Sequence, residues 1–181
     1  MGTLASIKVE PCTVKWGTTD LGFTDGDITI GLEHDTVDVT AHQTGSIVLD
    51  MIRTGGSKVS DITLTLKEST VAMITSLLDG QMGAAMTPTT GTAVIGVGVS
   101  HQFAGVLAAC KKLVLHPVTK GALVLTDDIA IWKTFPVVSS IVKSGENPNT
   151  VEVTFSVLPD TSLDAKVQYM VIGDHTQIFT A

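Results

Sequence analysis

Aromatic rings are scarce in this chain, at 4% of 181 residues. Trp16, Trp132 and Tyr169 lie far apart in sequence, so no run of rings forms a stacking platform for sugars. Cysteine is scarcer still. Cys12 and Cys110 stand alone, and both a disulfide framework and a thiolate metal knuckle need several thiols at set spacing. Basic residues are few as well: 11 Lys and Arg face 18 Asp and Glu, a formal charge of -7, which excludes the basic footprint of a duplex-binding protein. Long uninterrupted apolar runs are also missing. The most apolar stretch, 92–110, is broken by Ser100, His101 and Gln102 and followed by Lys111 and Lys112, so no membrane span is expected. Residues 1–10 carry no basic start leading into an apolar core, and the expectation is a chain without a secretory signal that folds in a reducing cytoplasm.

What is present is β-forming sequence. Roughly a third of the residues are Thr, Val or Ile, types that suit a pleated, half-buried surface. Ile28, Ile30 and Leu32 alternate with Asp27, Thr29 and Glu33. Val37 and Val39 alternate with Thr36, Asp38 and Thr40; Ile62, Leu64 and Leu66 with Asp61, Thr63 and Thr65; Val151, Val153, Phe155 and Val157 with Glu152, Thr154 and Ser156. A period of two with one apolar and one polar face is the pattern of an antiparallel sheet wetted on one side. Further strands are expected at 7–16, 92–99, 111–115, 128–135, 137–143 and 165–172. Across 69–78 the period changes: Val71, Ile74, Leu77 and Leu78 recur at three- and four-residue steps, which predicts one amphipathic helix. Ser69 or Thr70 can cap its start and Gly80 can end it. With no linker long enough to divide it, the chain reads as a single domain over 1–181. The fold class is mainly β, an antiparallel β-sandwich or barrel with one flanking α-helix.

One segment sits awkwardly in that scheme. Residues 43–57 have the glycines of a loop, Gly45, Gly55 and Gly56, around an apolar centre of Ile47, Val48, Leu49, Met51 and Ile52. As a loop it would expose apolar surface and so mark a partner site. As a strand it would belong to the core.

No enzyme signature is found, and neither cofactor nor metal is expected. His34, Asp38 and His42 share one face of a strand, but four-residue steps at 3.3 Å each keep them about 13 Å apart, too far for one ion. His101, His116 and His175 have no sequence neighbours that complete a site. Ser100 beside His101 lacks the second glycine of a nucleophile elbow. Asp127 and Asp128 are adjacent, so on a regular strand their side chains diverge.

Three blocks together resemble the tail tube proteins, or major tail proteins, of long-tailed bacteriophages. They are Gly26-Asp27-Ile28-Thr29-Ile30 leading to Gln43-Thr44-Gly45; the strand Val59 to Leu66 running into Lys67-Glu68-Ser69-Thr70; and Leu113-Val114-Leu115-His116-Pro117 with Asp128 to Lys133 and Val151 to Asp160. The resemblance implies a structural virion protein that polymerises with itself into stacked hexameric rings, forming a tube for DNA delivery into the host. It implies other tail proteins (tape measure, terminator, baseplate or tip) as partners, DNA only in transit, and a place in the virion tail after assembly in the bacterial cytoplasm. Six subunits giving four strands each, at ~4.8 Å spacing and ~40° tilt, would close a wall about 48 Å across, wide enough for a duplex. An acidic wall would repel phosphate and let DNA slide. Asp27, Thr29, Glu33, Asp38 and Glu152 are then the channel-lining candidates. Gly45, Ile47, Val48, Leu49, Met51, Ile52, Gly55 and Gly56 are the inter-subunit candidates. The tube of a related injection or secretion system, or a ligand-binding β-sandwich module, is the alternative.

Overall fold

The computed structural model describes residues 11–40, 48–53, 55–67, 70–82 and 105–177. Among these described residues ten strands and one α-helix follow in chain order: β1 Cys12–Trp16, β2 Thr19–Asp20, β3 Thr24–Glu33, β4 Thr36–Thr40, β5 Val48–Arg53, β6 Lys58–Leu66, α1 Val71–Met82, β7 Lys111–Pro117, β8 Ile129–Val142, β9 Thr150–Leu158 and β10 Met170–Ile172. A 3-10 turn, Leu107–Ala109, leads into β7. The class is the expected one, mainly β and antiparallel with one α-helix.

The strands form an eight-stranded sheet ordered β2-β1-β7-β8-β9-β6-β3, with β10 beside β8, and a separate two-stranded sheet of β4 and β5. The main sheet cannot be flat. Its end strands β2 and β3 are joined by residues 21–23 alone, a link spanning at most about 14 Å even fully extended. Seven flat strands would hold those ends about 29 Å apart. The sheet therefore curls until its ends approach, and Leu21 at the join is fully buried.

The concave side is the core. Val14, Trp16, Ile62, Leu64, Leu66, Leu113, Leu115, Ile131, Val151, Val153 and Phe155 are buried there with Met73, Ile74, Leu77 and Leu78 of α1, the helix that packs against β8. Trp16 is anchored by more than area. Its Nε1 donates to the Thr134 Oγ1 at 3.1 Å, and that hydroxyl donates on to the Lys111 carbonyl at 2.8 Å, so the polar atoms of a buried indole and a buried threonine satisfy each other. Thr70 starts the helix as expected, its hydroxyl accepting the Met73 N–H at 3.3 Å.

Several boundaries differ from the sequence reading. α1 runs through Gly80 to Met82, because one interior glycine costs a helix only ~1 kcal/mol and does not compel a stop. The strands expected at 128–135 and 137–143 are one 14-residue strand that continues through Pro136. β7 pairs with β8 only as far as Thr134, so Pro136 lies where that side of β8 has become an edge among the described residues, a position at which proline is admitted. Of 165–172 only Met170–Ile172 is strand. The strand expected at 92–99 lies outside the described residues. The segment 43–57, read as either an assembly loop or a strand, contains a strand, β5, which pairs with β4 in register through Thr36–Arg53, Val37–Ile52, Asp38–Met51 and Val39–Asp50.

Candidate assembly surfaces

The convex face of four neighbouring strands, β3, β6, β9 and β8, is built by the alternation that buries Ile62, Leu64, Leu66, Val153 and Phe155 on the other side. Cross-strand rows can be read from the register. Asp25, Thr65, Glu152 and Ser140 form one row, Thr29, Thr63 and Thr154 a second, and Asp61 with Ser156 a third. A bulge preserves this face toward the end of β3. Two residues of β6, Ser60 and Asp61, lie opposite Gly31 alone, so Val59 and Ile62 both point inward and Lys58 faces outward opposite Glu33. Gly31 leaves room for this crossing, since a Cβ there would force the Ser60 hydroxyl to turn away and would press on the Asp61 carbonyl.

Charge on this face is partly balanced. Lys58 pairs with Glu33 at 3.1 Å and Lys67 with Asp25 at 2.9 Å. Hydrogen bonding and attraction to Glu33 hold the exposed Lys58 ammonium above the ordinary lysine range. Asp61 and Glu152 have only hydroxyl partners among the interactions seen, Ser156 and Ser140. The face is thus rich in hydroxyls, with acids exceeding bases.

The five channel-lining candidates do not share one place. Thr29 and Glu152 lie on the convex face, Glu33 lies there neutralised by Lys58, and Asp27 is exposed in the irregular stretch between Asp25 and Thr29 that follows Gly26, whose φ is 72°. Asp38 lies elsewhere, on β4 opposite Met51 in the separate two-stranded sheet.

That hairpin is the second surface. Val37 and Ile52 share one face of it and are 53% and 54% exposed; Met51, on the other face, is 59% exposed, and Val48 is exposed as well. Of the remaining inter-subunit candidates, Gly45 and Ile47 lie outside the described residues, and Leu49 falls within β5. Gly55 sits against the Asp35 carboxylate, and Gly56 faces open space.

Folding also assembles a cluster that sequence reasoning missed. Asp128, in the turn before β8, is 1% exposed. Its Oδ1 lies 2.7 Å from His116 Nδ1 on β7, and its Oδ2 lies 3.3 Å from His175 Nδ1, three residues beyond β10. The second approach is within ion-pair reach but lacks hydrogen-bond geometry, so His175 Nδ1 and His116 Nε2 are both buried without a hydrogen-bond partner. The two imidazoles address opposite oxygens. Among the described residues no group of three or more His, Cys, Asp or Glu side chains is placed to share a metal ion. Only pairing β7 and β10 on opposite sides of β8 brings these residues together, and no local spacing announces it.

No protein-family model and no curated protein matches the chain. Among solved structures it is similar to that of Hcp1 from Flavobacterium johnsoniae, at 7% identity and a TM-score of 0.45, over 81% of this chain and 89% of that one. Identity and superposition at this level assign no family.

Proposed function

We propose that the protein is a tube subunit, a structural protein whose copies close into rings and stack around a channel. The observation that carries this reading is the run of four adjacent strands, β8-β9-β6-β3, with a hydroxyl- and acid-rich convex face, in a molecule that also exposes an apolar hairpin. Strand edges recruit further chains, and a head-to-tail contact closes a ring where its rotation permits. The hairpin gives the contact its apolar component. On the sequence resemblance we propose further that this tube is that of a phage tail, the protein being a virion component assembled in the bacterial cytoplasm with tail proteins as partners and DNA in transit. A surface with more acids than bases suits passage without capture. Under this reading the protein has no catalytic role.

The test is negative-stain electron microscopy of the concentrated protein with light-scattering mass on the same sample. Hollow tubes or six-subunit rings are expected. A strict monomer at every concentration, with the fold intact by circular dichroism, would overturn the reading.

A further inference from the structure

We propose that His116, Asp128 and His175 form an acid-sensitive latch that holds β10 and the residues after it against the edge of β8. The cluster ties three elements at one point. His116 belongs to β7, Asp128 precedes β8, and His175 follows β10. What it secures is slight: β10 is three residues long, registered as Met170, Val171 and Ile172 against Ile131, Ala130 and Ile129. At the latch itself the Gly173 N–H donates to the Asp128 carbonyl at 2.8 Å, and further along the Trp132 N–H donates to the Tyr169 carbonyl at 3.1 Å.

The proton capacity of the site makes it sensitive to acid. A buried carboxylate needs partners, and one imidazolium balances its charge. A second proton would leave net positive charge in a buried site, where His175 Nδ1 and His116 Nε2 lack hydrogen-bond partners. The groups facing His175 are Lys112 and His116 from β7, Asp128 from the turn before β8, and Asp174 from its own segment. Burial foremost, then Lys112, with His116 acting the same way, outweigh the two carboxylates and hold His175 below the ordinary histidine range.

The sign follows from linkage. Released into water, His175 would bind a proton near pH ~6.5; latched, it resists until lower pH. The latch is therefore at full strength above that value and weakens as the pH falls toward the latched pKa. Opening uncovers the backbone edge of β8 at residues 129–131, which a neighbouring strand can then pair with.

Amide hydrogen exchange on the full-length protein at pH 7.5 and 5.5, corrected for the intrinsic rate, reads the latch directly. Protection of Gly173 and Trp132 is expected to fall at least about threefold at the lower pH, while β6 amides keep theirs. In His175→Gln, which does not titrate, the two pH values should give equal protection. An unchanged wild-type profile, or an equal loss in the variant, would overturn the proposal. So would an NMR titration placing His175 at or above the ordinary histidine value in the folded protein, a measurement that needs no variant.

Discussion

Val37 and Ile52 stand directly opposite each other across the β4–β5 hairpin, on one face, and each is more than half exposed. A cross-strand apolar pair left in water is stabilised only weakly by its own contact and gains far more when a partner covers it. Replacing Ile52 with Lys should leave the melting temperature within a few degrees of wild type, since surface changes usually cost less than ~0.5 kcal/mol. Self-association should be lost. Sedimentation velocity beside a thermal melt checks both, and tubes of normal length from Ile52→Lys would exclude this face from the contacts.

The Trp16–Thr134–Lys111 chain concerns stability alone. Thr134→Val keeps the shape but removes the hydroxyl that accepts from the indole and donates to the Lys111 carbonyl. The indole N–H retains a longer contact with the Thr134 backbone carbonyl at 3.3 Å, so the main loss is the hydroxyl's part-buried bond to the Lys111 carbonyl. A cost of about 1–2 kcal/mol is expected by urea denaturation. No measurable change would mean that water takes the hydroxyl's place on the Lys111 carbonyl, whose bond is only part-buried.

How much of this was legible in the sequence depended on whether one face alone was buried. In β6 and β9 it is, and Ile62, Leu64, Leu66, Val151, Val153 and Phe155 announce themselves through a period of two. The helix likewise shows its stripe and its Thr70 cap. β8 was harder, because Pro136 reads as a break until it is known that pairing with β7 stops at Thr134. β5 was harder still. Val48, Leu49, Met51 and Ile52 do not alternate cleanly, and a register shift between Val39 and Thr40 offsets the partner strand, so an exposed strand mimics either a loop or a core strand. The Asp128 cluster had no local signal at all. His116 reaches it from β7 and His175 from the segment after β10, strands paired on opposite sides of β8, a fact of topology that no spacing of residues encodes.

Asp160 supplies a second pH dependence, of different origin and range. Its carboxylate accepts from the Ser162 hydroxyl at 2.7 Å and the Ser162 N–H at 3.2 Å, and pairs with Lys133 of β8 at 2.9 Å. The Ser162 hydroxyl first, then Lys133, hold its pKa below the ordinary 3.8. Because the folded pKa is the lower one, this stabilisation is complete well above pH ~4 and is lost as the pH falls through the folded value. Asp160→Asn should be less stable than wild type by about 1–2 kcal/mol at pH 6, with the gap narrowing by pH 3. Urea titrations at both pH values decide, and a gap that stays constant would assign the loss to packing rather than charge.

Glu152 provides the test of which way the convex face points in the proposed tube. It is exposed, lies in the row Asp25, Thr65, Glu152, Ser140 and contacts only a serine hydroxyl among the interactions seen, so Glu152→Cys should be tolerated within about 0.5 kcal/mol. Cys12 and Cys110 are half-buried, and burial raises the Cys110 thiol further, which slows its reaction and keeps the background low. If the face lines the channel, a small maleimide should label Cys at this position in both free subunits and tubes, whereas a large polyethylene-glycol maleimide should label free subunits only. Equal labelling of tubes by both reagents would place the face on the outer wall. Thr29, Glu33 and Asp61 would then be solvent-facing residues, and the channel would have to be lined by other strands.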